Sequence, residues 1–359
     1  MPLFMDLHLG GNHTPEEVKE LHLESVRNQD KFKAKFLKYW INLESGLSFC
    51  LVEAPDREAC VAAHQAVDET ETPCNVIEIS EEQMNRFLGD SVINEYDMVI
   101  NPNGEPDRGN RTIMYADIIA KTDITHNHIK YLNDYLNTYN GKLVDDSNDG
   151  FIIIFRDSRP AFEMAIKLID EFSETDVTSR QSGIPVPEIR IGIASGDPIT
   201  ATNKSIFDNT IQKAKKISEC SANNQVIFGS EFYNSLMINN EIANLHQKSP
   251  GFLSKADENL LIRWIDEIEN PDNEVLTLSR LCERIGISKT QVYRKIKALT
   301  GMAPNEFIMD IRLRRAFKLL KRKELNISEI AATLGFLNPS YFSKCFNKRF
   351  GVLPSSLIR

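Results

Sequence analysis

Near the C-terminal end of the chain, apolar positions recur at intervals of three and four residues, the spacing of one buried helical face. Residues 278–285 predict a short helix and Gly286 a tight turn. Ser288, with Gln291 three residues later, predicts a capping box that begins a second helix. Together these signals predict a helix-turn-helix unit. The apolar positions of its first helix are Leu278, Leu281, Cys282 and Ile285.

A second unit of the same kind follows within residues 325–356. Asn326 and Glu329 form its capping box, and Gly335 permits its turn. Asn338 can then cap a helix with a proline at its first position, where the missing N–H costs nothing.

Between the two units, Pro304 opens an uninterrupted helical pattern of about twenty residues, a rod of about 30 Å. One turn of DNA measures about 34 Å, so this rod can hold two recognition helices in successive major grooves of one duplex. Basic residues along the rod are expected near phosphates, where they position the domain without reading sequence. These residues are Arg312, Arg314, Arg315 and Lys318.

The charge of the chain supports this interpretation. Residues 275–359 contain 17 Lys and Arg against 5 Asp and Glu, a net charge of +12. The whole chain carries −9, so the first 274 residues carry −21. A basic segment on an acidic body is typical of a polyanion-binding module, although a solvated basic face has the same composition.

The middle of the chain, residues 110–236, alternates between strand and helix patterns and predicts an α+β domain. Residues 1–80 predict the order βαββαβ, which fits a ferredoxin-like sandwich with two helices on one face of an antiparallel sheet. Stretches rich in Asn, Pro, Gly and Asp separate the units.

Six scattered cysteines without CxxC pairs predict reduced thiols rather than a disulfide frame or a zinc knuckle. No apolar run reaches 18 residues, and the first residues contain no basic leader. These features predict a cytoplasmic chain without a membrane partner.

The C-terminal unit resembles the DNA-binding domain of AraC-type transcription regulators in "RKIKALTGMAPNEFI", "IRLRRAFKLL" and "LGFLNPSYFSKCFNKRFGVLPS". The resemblance covers residues 257–358 and implies double-stranded DNA and RNA polymerase as partners. We expect the aromatic residues of this unit to pack in the core rather than to stack on bases; these are Tyr341, Phe342, Phe346 and Phe350. The expected DNA-binding residues are Lys289, Thr290, Gln291, Arg294, Lys295, Arg314, Arg315, Asn338, Ser340, Tyr341, Ser343, Lys344 and Lys348.

The middle unit resembles the catalytic domain of class III nucleotide cyclases in "YADIIAKTD", "NDGFIIIF" and "IRIGIASGDPI". The resemblance implies that Asp117, the carbonyl of Ile118 and Asp149 hold Mg²⁺ or Mn²⁺, which prefer such oxygen ligands. The alternative is that the aspartates around residue 149 only solvate a turn.

Four positions depart from the cyclase pattern and predict the loss of cyclisation. Asp145 stands where the family keeps a Lys that reads the purine, and Asn148 replaces a Gly. Gln212 and Lys216 stand where it keeps an Asn and an Arg, and Lys cannot clamp phosphate with a planar fork. If a nucleotide still binds, Asp145, Gln212 and Lys216 are the expected contacts.

The N-terminal unit resembles a small family of nickel-binding ferredoxin-fold proteins in "MDLH", "LKYW", "FCLVEAPD" and "AAHQAV". The resemblance implies that His8, His22 and His64 bind Ni²⁺ or Zn²⁺, with Tyr39 and Cys50 beside them. The alternative is that these histidines are hydrogen-bonded core residues.

The predicted fold is therefore multidomain: an α+β ferredoxin-like domain, an α+β cyclase-like domain and an all-α double helix-turn-helix domain. The expected function is transcription regulation by a homodimer, in which the two acidic domains sense a ligand or metal and mediate dimerisation, without enzyme activity. The alternative is an active adenylate or guanylate cyclase with a DNA-binding anchor. The predicted ranges are 1–82, 109–240 and 257–359, with linkers at 83–108 and 241–256.

Overall fold

A computed structural model of the chain describes residues 1–9, 13–67, 72–89, 91–119, 126–145, 150–182, 187–237, 251–269 and 277–358. The chain forms two compact units. The first contains Met1–Thr112 and Ser195–Gln212, and the second contains Ile113–Ala194 and Lys213–Arg359.

The first unit contains the predicted βαββαβ order. Its strands form a four-stranded antiparallel sheet in the order β2-β3-β1-β4, with β1 paired to both β3 and β4. Its elements are β1 (Leu3–Leu9), α1 (Pro15–Asn28), a 3₁₀ turn (Gln29–Phe32), β2 (Lys35–Asn42), β3 (Leu47–Glu53), α2 (Arg57–Gln65) and β4 (Asn75–Ile79).

Local signals fix where the two helices of this sandwich begin. Thr14 and Glu17 form a capping box before α1, and Asp56 accepts a hydrogen bond from the N–H of Ala59 at the start of α2. Both helices bury apolar residues against the sheet and leave a charged outer side.

The stretch predicted as a linker, 83–108, contains ordered structure. The helix α3 (Glu81–Leu88) begins at a capping box of Ser80 and Gln83, and a short hairpin pairs β5 (Val92–Ile93) with β6 (Val99–Ile100). The Asn-, Pro- and Gly-rich composition that indicated a linker forms tight turns here, such as the one at Gly104, where φ is +82°.

The predicted α+β domain lies mainly in the second unit. Its sheet has the strand order β12-β11-β10-β7-β9-β8, with β10, β11 and β12 parallel and β8–β9 an antiparallel hairpin. The elements are β7 (Arg111–Ile119), α4 (His126–Thr138), β8 (Lys142–Asp145), β9 (Phe151–Phe155), α5 (Ser158–Ser182), β10 (Glu188–Gly196), α6 (Asp208–Cys220), β11 (Gln225–Phe228), α7 (Ser230–Met237) and β12 (Gly251–Phe252).

The central strands β7 and β10 are buried on nearly every residue, as expected for strands covered on both faces. Gly192 of β10 permits close helix packing, because a Cβ there would lie 2.1 Å from the carbonyl oxygen of Ala214 in α6.

The C-terminal part is entirely helical, and the predicted class of three successive architectures is confirmed. The helices are α8 (Lys255–Glu269), α9 (Leu278–Ile285), α10 (Lys289–Thr300), α11 (Pro304–Arg322), α12 (Ile327–Thr333), α13 (Pro339–Phe350) and α14 (Ser355–Ile358).

The turn signals of both helix-turn-helix units lie where the sequence predicts them. Ser288 and Asn326 form capping boxes, and Asn338 caps α13 ahead of its proline. Gly286 and Gly335 adopt φ of +75°, a backbone conformation that favours glycine. Among the described residues, no helix is both long and apolar enough to cross a membrane.

Candidate nucleic-acid interface and metal centre

The first recognition helix, α10, presents a polar face to solvent. Lys289, Thr290, Gln291 and Arg294 are exposed, whereas Val292 and Ile296 on the other side are buried. Lys295 is half-buried and forms an ion pair with Asp257 of α8, and Gln291 also belongs to the capping box. Sequence reasoning missed Tyr293, an exposed aromatic residue between the polar positions of this helix.

The second recognition helix, α13, has the same division. Asn338, Ser340, Tyr341, Lys344 and Lys348 are exposed. The hydroxyl of the half-buried Ser343 donates a hydrogen bond to the Pro339 carbonyl at 2.9 Å, and Phe342, Phe346 and Phe350 are core residues. Asn338 accepts hydrogen bonds from the N–H groups of Ser340 and Tyr341, so it acts at least as a helix cap.

The helix α11 joins the two units and measures about 28 Å over its 19 residues. Three of its cations, Arg314, Arg315 and Lys318, contact the middle α+β domain. Arg314 is only 3% exposed and donates to the Glu219 carbonyl at 2.7 Å. Arg315 donates to the Glu219 carboxylate at 2.9 Å and pairs with Glu269 of α8.

A buried group of charges surrounds Asp310 of α11. Arg314 Nε donates to Asp310 Oδ2 at 2.8 Å, and Arg349 Nε of α13 donates to Oδ1 at 2.7 Å. A third guanidinium, that of Arg190 in β10, lies 3.9 Å away. Burial alone would raise the pKa of Asp310, but Arg314, Arg190 and Arg349 outweigh it and hold that pKa below its ordinary value.

Arg190 has an unusual environment. It is 1% exposed, and its Nε and Nη1 atoms have no hydrogen-bond partner among the described residues. Burial and the neighbouring Arg314 lower the pKa of Arg190 to about 10, so the group stays charged at neutral pH.

At the predicted cation site of the middle domain, the side chain of Lys318 lies beside Asp117. Asp117 in β7 is buried, and its Oδ1 lies 2.9 Å from Lys318 Nζ of α11. Lys318 also donates to the Tyr115 hydroxyl at 3.3 Å. Lys318 thus supplies a positive charge beside Asp117, whose two buried carboxylate oxygens have no hydrogen-bond partner among the described residues. Asp149 lies outside the described residues.

The residues considered for nucleotide binding lie in β8 and α6. Asp145 ends β8, opposite Ile152 of β9, and Lys216 of α6 forms an ion pair with Asp266 of α8. Gln212 of α6 is exposed.

The first unit contains a buried cluster centred on Asp6 of β1, a residue that sequence reasoning missed. The sequence feature that could have identified Asp6 is the strand period of two, which puts Asp6 and His8 on one face of β1. His64 Nε2 lies 2.8 Å from Asp6 Oδ2, and His8 Nε2 lies 3.2 Å from Oδ1. Cys50 pairs with Asp6 across β1 and β3, and its N–H donates to Asp6 Oδ1 at 3.0 Å.

The charge of Asp6 is stabilised inside the domain. Burial would raise the pKa of Asp6, but His64 and His8 outweigh it and hold the pKa well below its ordinary value. Burial also raises the pKa of the nearby Tyr39 to about 12. A cavity of about 30 Å³ adjoins the cluster, enough for an ion or a water molecule.

The donor set of this cluster fits a borderline metal ion. The ligand atoms of Asp6, His8, Cys50 and His64 all lie within 4.8 Å of one another. Imidazole and thiolate ligands suit Ni²⁺ and Zn²⁺ better than Mg²⁺ or Ca²⁺. These residues would hold the ion, with Asp6 either as a ligand or as the hydrogen-bond acceptor that orients the imidazoles.

His22, the third predicted metal ligand, lies apart from this donor set. Its Nε2 lies 3.4 Å from Asp97 Oδ2, and its ring lies against Tyr39 at a centroid distance of 4.6 Å. Burial lowers the pKa of His22 below its ordinary value, partly opposed by Asp97. His22 lines the same cavity, and its Nδ1 has no hydrogen-bond partner among the described residues.

Comparisons with known proteins match the two ends of the chain. Residues 281–359 match the model of a helix-turn-helix domain, and residues 4–79 match the model described as "Nickel responsive protein SCO4226-like". One curated relative is Histidine kinase P4 of Formosa agariphila, 44% identical over 29% of this chain and 8% of its own length. Another is the HTH-type transcriptional activator RhaS of Mannheimia succiniciproducens, 34% identical over 27% of this chain and 35% of its own length.

The chain thus spans only a small part of these relatives. A solved structure described as an adenylate/guanylate cyclase/hydrolase from Silicibacter pomeroyi is 15% identical, with a TM-score of 0.30, and covers 37% of this chain and 82% of that one. The chain carries an AraC-type helix-turn-helix domain and an SCO4226-like N-terminal domain, as the sequence predicts.

Proposed function

We propose that the chain is a sequence-specific DNA-binding transcription regulator of the AraC type. The observation that carries this proposal is the pair of capped helices α10 and α13, whose polar faces are exposed and which one 19-residue helix joins. Each face offers lysines for phosphates and short polar side chains for base edges. The expected partners are double-stranded DNA and RNA polymerase.

A direct test measures the affinity of the full chain for a mixed-sequence duplex at several salt concentrations. The logarithm of the association constant should fall linearly with that of the salt concentration. Lys289→Ala and Lys344→Ala should each weaken binding and reduce the slope by about 1. The control is Lys167→Ala, an exposed lysine on α5 in the middle domain. Affinity without salt dependence, or variants that match the control, would refute the proposal.

We further propose that the N-terminal domain senses Ni²⁺ or Zn²⁺ through Asp6, His8, Cys50 and His64. Three features support this: the mixed donor set, the buried carboxylate that orients two imidazoles, and the match to a nickel-responsive family. Metal binding to such a site stabilises the folded domain and gives the signal that the regulator would transmit.

Dimerisation is part of the same proposal. A homodimer would present four recognition helices to DNA and would match a pseudopalindromic site. Val92 and Ile93 of β5 support an association surface, because both are exposed apolar residues on a strand edge.

The alternative function, nucleotide cyclisation, lacks comparable support. Lys318 lies beside Asp117, and Lys216 is engaged with Asp266. The proposed role of the middle domain is therefore that of a non-catalytic part of the regulator.

A further inference from the structure

Cations of the DNA-binding domain are held by acidic groups of the middle domain. We call the residues of the middle domain that make these contacts, Asp117, Glu188 and Glu219, the docking surface. Arg349 of α13 donates two hydrogen bonds to the Glu188 carboxylate, at 2.9 and 2.8 Å, in a bidentate pair. The other partners are Arg314, Arg315 and Lys318 of α11.

Apolar packing accompanies these ion pairs. Ile119, the last residue of β7, is 3% exposed and belongs to the core cluster of the second helix-turn-helix unit, with Leu313 and Phe317 of α11. The contact therefore excludes water as well as matching charges, and the ion pairs at its edge are stronger than exposed ones.

The docking surface leaves the recognition faces free. The lysines Lys289, Lys344 and Lys348 are all exposed. The four docked cations, in contrast, are buried or half-buried and already have anionic or carbonyl partners. A cation neutralised by a protein carboxylate displaces no counterion from DNA, so it adds nothing to the salt-dependent part of the affinity.

We propose that the middle domain masks three cations of the DNA-binding domain, Arg315, Lys318 and Arg349, and so limits non-specific DNA binding, while Arg314 is neutralised by Asp310 of its own helix. The chain then contacts DNA through α10 and α13, and the cation position at Asp117 serves an internal ammonium instead of a metal ion. This inference rests on the DNA-binding function proposed above.

The first test is Lys318→Gln in the full chain, which retains a hydrogen-bond donor but removes the charge. Binding to a mixed-sequence duplex of about 30 base pairs is measured over a series of NaCl concentrations. If Lys318 is masked, the slope of the logarithm of the association constant against that of the salt concentration should equal the slope of the unmodified chain. If Lys318 contacts a phosphate instead, the magnitude of this slope should be smaller by about 0.9 in the variant, and that result would overturn the inference.

The second test unmasks two cations with Glu188→Gln and Glu219→Gln together. The slope should become steeper, by less than the value of about 1.8 for two fully released cations, since Arg349 keeps its contact with Asp310 and Arg315 keeps its contact with Glu269. The control changes two exposed carboxylates elsewhere, Glu58→Gln with Glu163→Gln, and alters the net charge equally.

The outcomes separate the inference from the function on which it rests. A docking variant that behaves like the control overturns the inference while DNA binding stands. A chain that fails to bind the duplex at all overturns both. Lys318→Gln alone decides the matter if the double variant does not fold.

Discussion

Asp310→Ala is expected to lower the free energy of unfolding of the second unit by about 3–5 kcal/mol, the usual cost of removing one partner of a buried ion pair. The reason is the crowding of positive charge around this carboxylate. Arg314 and Arg349 donate to it, and the buried Arg190 lies 3.9 Å away. Without Asp310, these three guanidinium groups would repel one another in a region of low dielectric.

Hydrogen exchange measures this effect in α11 separately from the N-terminal domain. Protection of the α11 amides should fall by at least a hundredfold in Asp310→Ala, the equivalent of roughly 3 kcal/mol. The control is Asp134→Ala, an exposed aspartate on α4, which should change stability by less than about 0.5 kcal/mol. Equal protection in both variants would show that the charges around Asp310 are solvated.

The same carboxylate predicts a pH dependence with a defined sign. Because the pKa of Asp310 is lower in the folded protein than its ordinary value of 3.8, its ionised form stabilises the fold above that pH. This contribution should disappear as the pH falls below 3.8 and through the lower folded pKa. The Asp310→Ala variant should lack that part of the acid sensitivity.

Nickel titration should give one tightly bound ion per chain, and His64→Gln should abolish it. His64 supplies a ring nitrogen to the only group of potential ligands found among the described residues, and it contacts the buried Asp6 at 2.8 Å. Bound metal at a hundred times its dissociation constant should stabilise the folded domain by about 2.7 kcal/mol. Affinity should weaken as the pH falls, because imidazoles must lose their protons to bind the ion.

His22→Gln is the matched variant for this titration. His22 lines the same cavity but bonds to Asp97 and lies outside the ligand group, so its replacement should keep the stoichiometry at one ion per chain. Calorimetry of the unmodified chain and the two variants distinguishes the cases. Equal loss in both variants would place His22 among the ligands, as the family resemblance implied.

The order of elements could be predicted from the sequence because it depends on local signals. Hydrophobic period, capping boxes and turn glycines each act over a few residues, and the helices at Ser288, Asn326 and Asn338 begin where those signals lie. The N-terminal sheet follows from the same reasoning, since each of its strands is short and well bounded.

The contacts of the charged residues could not be predicted in this way. Arg314 resembles a phosphate ligand in sequence because it lies on a basic helix, but its partner carbonyl belongs to Glu219, 95 residues earlier. The strand period puts Asp6 beside His8, but the contact of Asp6 with His64 of α2 depends on tertiary packing. Long-range partners of this kind are set by tertiary packing rather than by local pattern.

Hydroxyl-radical footprinting tests the central claim most directly, namely that α10 and α13 read successive grooves from the two ends of one rigid helix. The probe is a duplex selected from random sequence by the full chain. We predict two protected segments on one side of the DNA, separated by about 10 base pairs. A single protected segment, or a separation unrelated to the helical repeat, would contradict the claim.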